Sequence, residues 1–295
     1  MRSFGVTPHA RSSIRVWRWV TVSGHNVALY LSLGVILVYC AIALFAPVIA
    51  PFDPFAMSGS PLAPPDATHL LGTNDLAQDI FSRLIWGTRA TLILGFLGAA
   101  VSVVMDTIIG IVAGYYGGRV DEAVMRFVDV MMTIPAFPLL LVVTIFFRPG
   151  IYVTAVIMGL FGGLNGVRII RSQVLTLAVS DFVVGTKALG AGDGYIMGRH
   201  ILPNILPLVG VKFVTSAQHF MLVGIGLGFL GIGDQNLVDW GQMIERASQN
   251  GGIILGLWWW LIPPGLAVTV ISLALAWFAY AWEERINPRF QVMRV

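Results

Sequence analysis

Six long apolar runs alternate with shorter polar stretches, at roughly residues 26–50, 91–114, 127–147, 151–169, 205–230 and 253–282. About 20 apolar residues at 1.5 Å rise cross the hydrocarbon core of a bilayer, and each run is near that length or longer. The expected fold class is an all-α membrane protein with six transmembrane helices. The first run is too long for the core of a signal peptide. Pro51-Phe-Asp53-Pro54 follows it in place of a cleavage site, so it reads as an uncleaved anchor. Pro135 and Pro138 predict a kink in the third run.

Composition agrees with the pattern. Of 295 residues, 57% are hydrophobic and 11% charged, against about 25% charged in a soluble domain. Mean hydropathy is +0.81. The net charge of +3 reflects loop cations that orient a membrane protein, and no nucleic-acid partner is expected. The one cysteine, Cys40, excludes an internal disulfide and a cysteine metal site. With the N-terminus inside, 13 Lys and Arg fall in inner segments and 4 (Arg83, Arg89, Arg148, Arg246) in outer ones. That bias predicts a multi-pass cell-membrane protein with both termini cytoplasmic. The expected organisation is a cytoplasmic segment 1–25, then a first span with its outer loop, 26–90. A five-helix core, 91–283, contains a coupling loop, 178–205, and is followed by a cytoplasmic tail, 284–295.

That inner loop breaks the apolar pattern. Ser180 or Asp181 can cap a short helix, and Asp181 suits its positive end. Phe182, Val183, Thr186 and Leu189 form an apolar strip at near-helical spacing. Gly190 can stop the helix at positive φ. A second helix is expected from about Gly194 to Ile201, with Pro203 ending it and re-aiming the chain. Two helical turns are not stable alone, so the strip needs a surface, either in its own subunit or on a partner.

The segment resembles the "EAA" loop of ABC importer permeases. Gly190, Leu202 and Pro203 match its spacing, and Lys187-Ala188-Leu189-Gly190-Ala191 and Arg199-His200-Ile-Leu202-Pro203-Asn204 are similar to the peptide/nickel branch. Val184 stands where that pattern has Glu, and Gly185 and Thr186 replace its two Ala. His69-Leu-Leu-Gly72-Thr-Asn-Asp75 through Arg83-Leu-Ile-Trp-Gly87-Thr-Arg89 is similar to the outer-loop signature of the C-type dipeptide, oligopeptide and nickel permeases. There Ala77 and Gln78 replace the usual Gly-Arg. Ala113-Gly-Tyr-Tyr-Gly-Gly118, Met125-Arg-Phe-Val-Asp129, Ile134-Pro135, Gly228-Phe-Leu-Gly-Ile-Gly233, Asp239-Trp-Gly241 and Asn287-Pro288-Arg289 follow in the same order.

The resemblance implies a type I importer permease fold and a subunit forming half of a path for di- or oligopeptides. A nickel or metal-chelate cargo is the alternative. It also implies three kinds of partner: a second permease subunit, one or two ABC ATPase subunits binding ATP and Mg, and an extracytoplasmic substrate-binding protein. The ATPase contact would fall on Asp181, Phe182, Val183, Gly185, Lys187, Ala188, Leu189, Gly190, Ala191, Arg199, Leu202 and Pro203. With Val184 in place of the acid, that contact is expected to rest on shape and apolar surface.

The chain's two lysines, Lys187 and Lys212, lie in no G-x-x-x-x-G-K-[ST] loop, so ATP must be bound elsewhere. No catalytic constellation and no resident cofactor are expected. Asp106, Asn165 and His219 are candidates for the substrate path, because polar groups inside spans are costly and often functional. Asp106 reads two ways: facing the path and selecting an amine, or protonated or paired with a neighbouring subunit. Asp129 is expected in an interfacial ion pair beside Arg126. The histidines 69, 200 and 219 are too dispersed for one metal site. A proton-coupled secondary transporter working through Asp106 is the alternative of a different class. It predicts broken helices in an inverted repeat.

Overall fold

The computed structural model describes residues 10–234 and 236–286, with side chains from residue 27 onward. The Asn287-Pro288-Arg289 motif, Gln235, and the cations Arg2, Arg289 and Arg294 lie outside the described residues, as do the side chains of Arg11, Arg15 and Arg18. Among the described residues the regular structure is helical: α1 (Ala10–Ile49), α2 (Ile80–Tyr116), α3 (Gly118–Thr133), α4 (Ala136–Phe147), α5 (Ile151–Gly162), α6 (Asn165–Ala178), α7 (Asp181–Ala188), α8 (Asp193–Ile196), a π turn (Met197–Ile201), α9 (Leu202–Phe229), α10 (Trp240–Gln249) and α11 (Trp258–Ile286).

Four helical stretches are long and apolar enough to cross a membrane: 27–49, 80–116, 193–229 and 258–286. The expected third and fourth spans are each two helices. α3 and α4 meet at 67°, and α5 and α6 at 54°. The chain thus has four such helices, or up to six spans if each bent pair is one. Proline chemistry explains the first bend. Ile134, which precedes Pro135, is pushed to extended geometry (φ −79°, ψ 119°). Pro138 falls in the first turn of α4, where a missing N–H costs nothing.

Pro203 corrects an expectation. It does not end a helix; it lies in the first turn of α9, which continues to Phe229. The π turn makes this possible, with the Leu202 N–H bonded five residues back to Met197 O. Inserting one residue keeps Ile196, Ile201 and Ile205 all facing inward, at spacings of five and four.

α2 runs through the centre, between α9 on one side and α5–α6 on the other. Gly98, Ser102, Asp106, Gly110 and Gly114 form a seam at every fourth position. A methyl group on Gly98 would stand 3.3 Å from Ala155 O, on Gly110 2.8 Å from Ile170 Cβ, and on Gly114 2.8 Å from Val174 Cβ. Small residues let helix backbones approach this closely in lipid.

Three of the five apolar clusters among the described residues follow along the molecule. One packs Ile80, Trp240, Met243, Trp260 and Ile271 at the end bearing loop 50–79, the second centres on Met158 and Phe220, and the third on Ile170, Val174, Val183 and Ile196. The tryptophan run Trp258-Trp259-Trp260 is divided. Trp258 is exposed, whereas Trp260 is fully buried and Trp259 would meet a methyl group on Gly72 at 3.0 Å.

Candidate functional site

α7 begins at Asp181 after an extended Ser180. The Ser180 hydroxyl does not cap it, because that group donates to the Leu177 carbonyl. Asp181 in the first turn supplies the favourable charge. The other end follows the expectation for Gly190. Its φ is +85°. Gly190 N–H bonds Lys187 O at 3.0 Å, and Ala191 N–H bonds Thr186 O at 3.3 Å. These are the paired bonds of a Schellman stop.

The apolar strip is split between two faces. Val183 is 2% exposed and packs among Ile170, Val174, Ile196 and Ile201. Leu189 is 89% exposed, and Phe182 and Val184 are exposed beside it. Gly185, Lys187, Ala188 and Gly190 are exposed as well, as are Arg199 and Pro203 further on, while Ala191 and Leu202 are half-buried.

The sequence pattern missed how this segment is held. Tyr115, in the last turn of α2, donates its hydroxyl to Asp193 Oδ1 at 2.6 Å. The Lys187 ammonium lies 3.9 Å from the same oxygen and 5.5 Å from the Tyr115 ring centroid. A hollow of about 340 Å³ lies behind α7, lined by Tyr115, Ala178, Val183, Val184, Lys187 and Ala188. His200 sits between the rings of Tyr195 and Phe182, at 5.5 and 6.2 Å. Tyr115 lies 78 positions from Asp193, so no local pattern signals that bond.

The expected path residues do not converge. Asp106 is 1% exposed, enclosed in its own subunit, and accepts from Ser102 Oγ at 3.4 Å. Asn165 opens α6 and is exposed beside Gly166, against which Asp106 packs. His219 is exposed on α9, with its ring 5.4 Å from Phe220. Asp129 pairs with Arg168 at 2.5 Å, not with Arg126, which pairs with Glu122 at 2.6 Å. Arg171 pairs in two places with Asp121. Among the described residues no group of three His, Cys, Asp or Glu is placed to hold a metal.

At the opposite end, loop 50–79 is fixed by a buried polar knot. His69 Nδ1 lies 2.9 Å from Asp79 Oδ1, and Asp79 Oδ2 caps α2 by accepting the Ser82 N–H at 2.7 Å. Gln78 Oε1 accepts from Arg83 at 2.7 Å and from Asn74 at 2.9 Å. Ala77 has φ +57°, a left-handed geometry that glycine adopts freely. Asp239 caps α10, accepting the Gln242 N–H at 2.9 Å. Burial pushes its carboxyl up to about 6, against the pull of the Gln242 and Gly241 amides and the Arg83 charge.

Residues 106–292, more than half of the chain, match the model of binding-protein-dependent transport system inner membrane components. The chain belongs to this family. It is 31% identical over 264 residues to the dipeptide transport system permease protein DppC of Haemophilus influenzae, covering 87% of this chain and 88% of that protein. A putative peptide transport system permease protein of Brucella suis is 32% identical over 267 residues, 87% of each. The dipeptide permease protein DppC of Alkalihalophilus pseudofirmus is 29% identical over 273 residues, 90% of this chain and 87% of that one. The permease chain is therefore a multi-pass membrane protein, as its long apolar helices require.

Proposed function

We propose that this chain is the permease subunit of an ATP-driven ABC importer and forms half of the path for small peptides. The observation that carries the reading is the near full-length similarity to dipeptide and peptide permeases of several bacteria. Each bent helix pair then counts as one span, giving six, with both termini and α7 cytoplasmic. The partners are a second permease subunit, ABC ATPase subunits that bind ATP and Mg, and an extracytoplasmic binding protein.

α7 supports the assignment by its shape. Val183 anchors it inward, whereas Phe182, Val184 and Leu189 are apolar side chains that the described residues leave exposed. The divergence at Val184 leaves that contact to apolar surface and the glycine stop. The test is import of labelled alanyl-alanine by membrane vesicles containing the chain and the proteins encoded beside it. ATP-dependent uptake that survives a protonophore and is not displaced by excess nickel fits the reading. Uptake driven by a proton gradient without ATP would sink it, and nickel uptake in place of the dipeptide would change the cargo.

A further inference from the structure

The buried acid of α2 lies at the one discontinuity in the element packed against it. Along the seam, Gly98 faces α5, Ser102 faces Gly163, Asp106 faces Gly166, and Gly110 and Gly114 face α6. A methyl group on Gly163 would stand 1.7 Å from Ser102 Oγ, and one on Gly166 2.0 Å from Asp106 Oδ2. Gly163 to Gly166 is where α5 ends and α6 starts after the 54° bend. Elsewhere the seam is glycine or serine; only at the bend is it charged.

A helix start in lipid leaves backbone N–H groups without partners. The residue preceding α6, Leu164, has no side chain able to accept them. Here the Gly166 N–H bonds Gly163 O at 3.1 Å and the Val167 N–H bonds Leu164 O at 3.3 Å, and Asp106 reaches in beside them from another helix, its Oδ2 2.0 Å from where a methyl group on Gly166 would stand. Negative charge at that position also suits the helix dipole. The opposite charge is at hand on a third helix. Lys212 Cε of α9 would lie 2.7 Å from the same methyl position on Gly166. Asp106 Oδ1 has no hydrogen-bond partner, so the carboxylate keeps one oxygen in reserve. On its other side α6 is tied to α3 by Arg168–Asp129 and Arg171–Asp121. The far end of α6 leads through Val179 and Ser180 directly into α7.

We propose that Asp106 is a positioning residue holding the joint at Gly163–Gly166, with Lys212 as its counter-charge, so that the set of α6 against α2, and with it the place of α7, is fixed from that joint. The proposal rests on the permease reading, because α7 is taken as the surface that a partner ATPase meets. A lone buried charge is far costlier than a pair or neither member. The two substitutions should therefore compensate, and a double-mutant cycle reads their interaction.

The experiment uses the assembled complex with Cys40→Ser, Val179→Cys and Ile286→Cys, spin-labelled at the two new cysteines. It records their distance distribution with and without ATP and vanadate, together with the amount of ATPase retained. Asp106→Asn and Lys212→Met should each keep the ATPase bound but reduce the ATP-driven change in population about ten-fold. The pair together should restore most of it. The proposal is overturned if either single variant responds to ATP as the parent does, or if the double variant is no better than the worse single one. If the parent complex retains no ATPase, the permease reading fails first and takes the positioning role with it.

Discussion

Tyr115 and Asp193, 78 positions apart, are joined by a 2.6 Å hydrogen bond that ties the end of α2 to the start of α8. Lys187 of α7 lies 3.9 Å from the same carboxylate, so one oxygen gathers three elements.

Replacing Tyr115 by Phe keeps the ring under Lys187 and removes only the hydroxyl. The expected loss is about 1 kcal/mol of local stability. Amide hydrogen exchange in residues 181–196 should speed up accordingly, while exchange in α10 stays unchanged.

Val183 and Leu189 should separate folding from docking. Val183→Asp places a charge among Ile170, Val174 and Ile196 and should cost more than about 3 kcal/mol, detaching α7. Leu189→Ser should change thermal stability by less than about 0.5 kcal/mol, yet reduce the ATPase recovered with the chain. Equal losses of stability would contradict the two-faced reading of α7.

Ala77 occupies a conformation that costs an L-residue about 1–2 kcal/mol. Ala77→Gly relieves that strain while giving up a buried methyl and some unfolded-chain restriction. The net change should stay under about 1 kcal/mol. Ala99→Gly, fully buried within α2, should cost about 2 kcal/mol by losing both helix propensity and packing. Thermal unfolding in detergent compares the two.

Asp239 should give a pH-dependent stability with a definite sign. Its carboxyl is raised from 3.8 to about 6 in the folded protein, so the folded state holds its proton longer than the unfolded one. Stability from this group is fully present below about pH 4, falls as pH rises through about 6, and is flat above. Asp239→Asn keeps an oxygen to accept the Gln242 N–H and should flatten that slope. Unfolding of both proteins from pH 4 to 8 checks it, and identical slopes would refute it.

The sequence carried the apolar helices, the α7 stop at Gly190 and the presence of an odd acid at Asp106. Periodicity and glycine conformation are local, and local signals are legible. The role of Pro203 was misjudged because a π turn five residues long has no composition of its own. Arg168 lies 39 positions from Asp129, and Asp193 lies 78 from Tyr115, and pairing at that range depends on tertiary packing. Asp106 is enclosed by α2, α6 and α9, so its polarity marked a site without revealing which way it faces.

The π turn has a consequence for insertion and deletion. Because α8, the turn and α9 continue one another from Asp193 to Phe229, one residue added within 194–201 would rotate every later side chain of α9 by about 100°. Met221 and Phe220 would leave their places against α2, and the change would be felt at the far end of the molecule. The same residue added between Gly163 and Leu164 would carry Gly163 or Gly166 off its close approach to Ser102 and Asp106. Chain length is thus fixed on both sides of α7, by helical phase on one and by contact on the other.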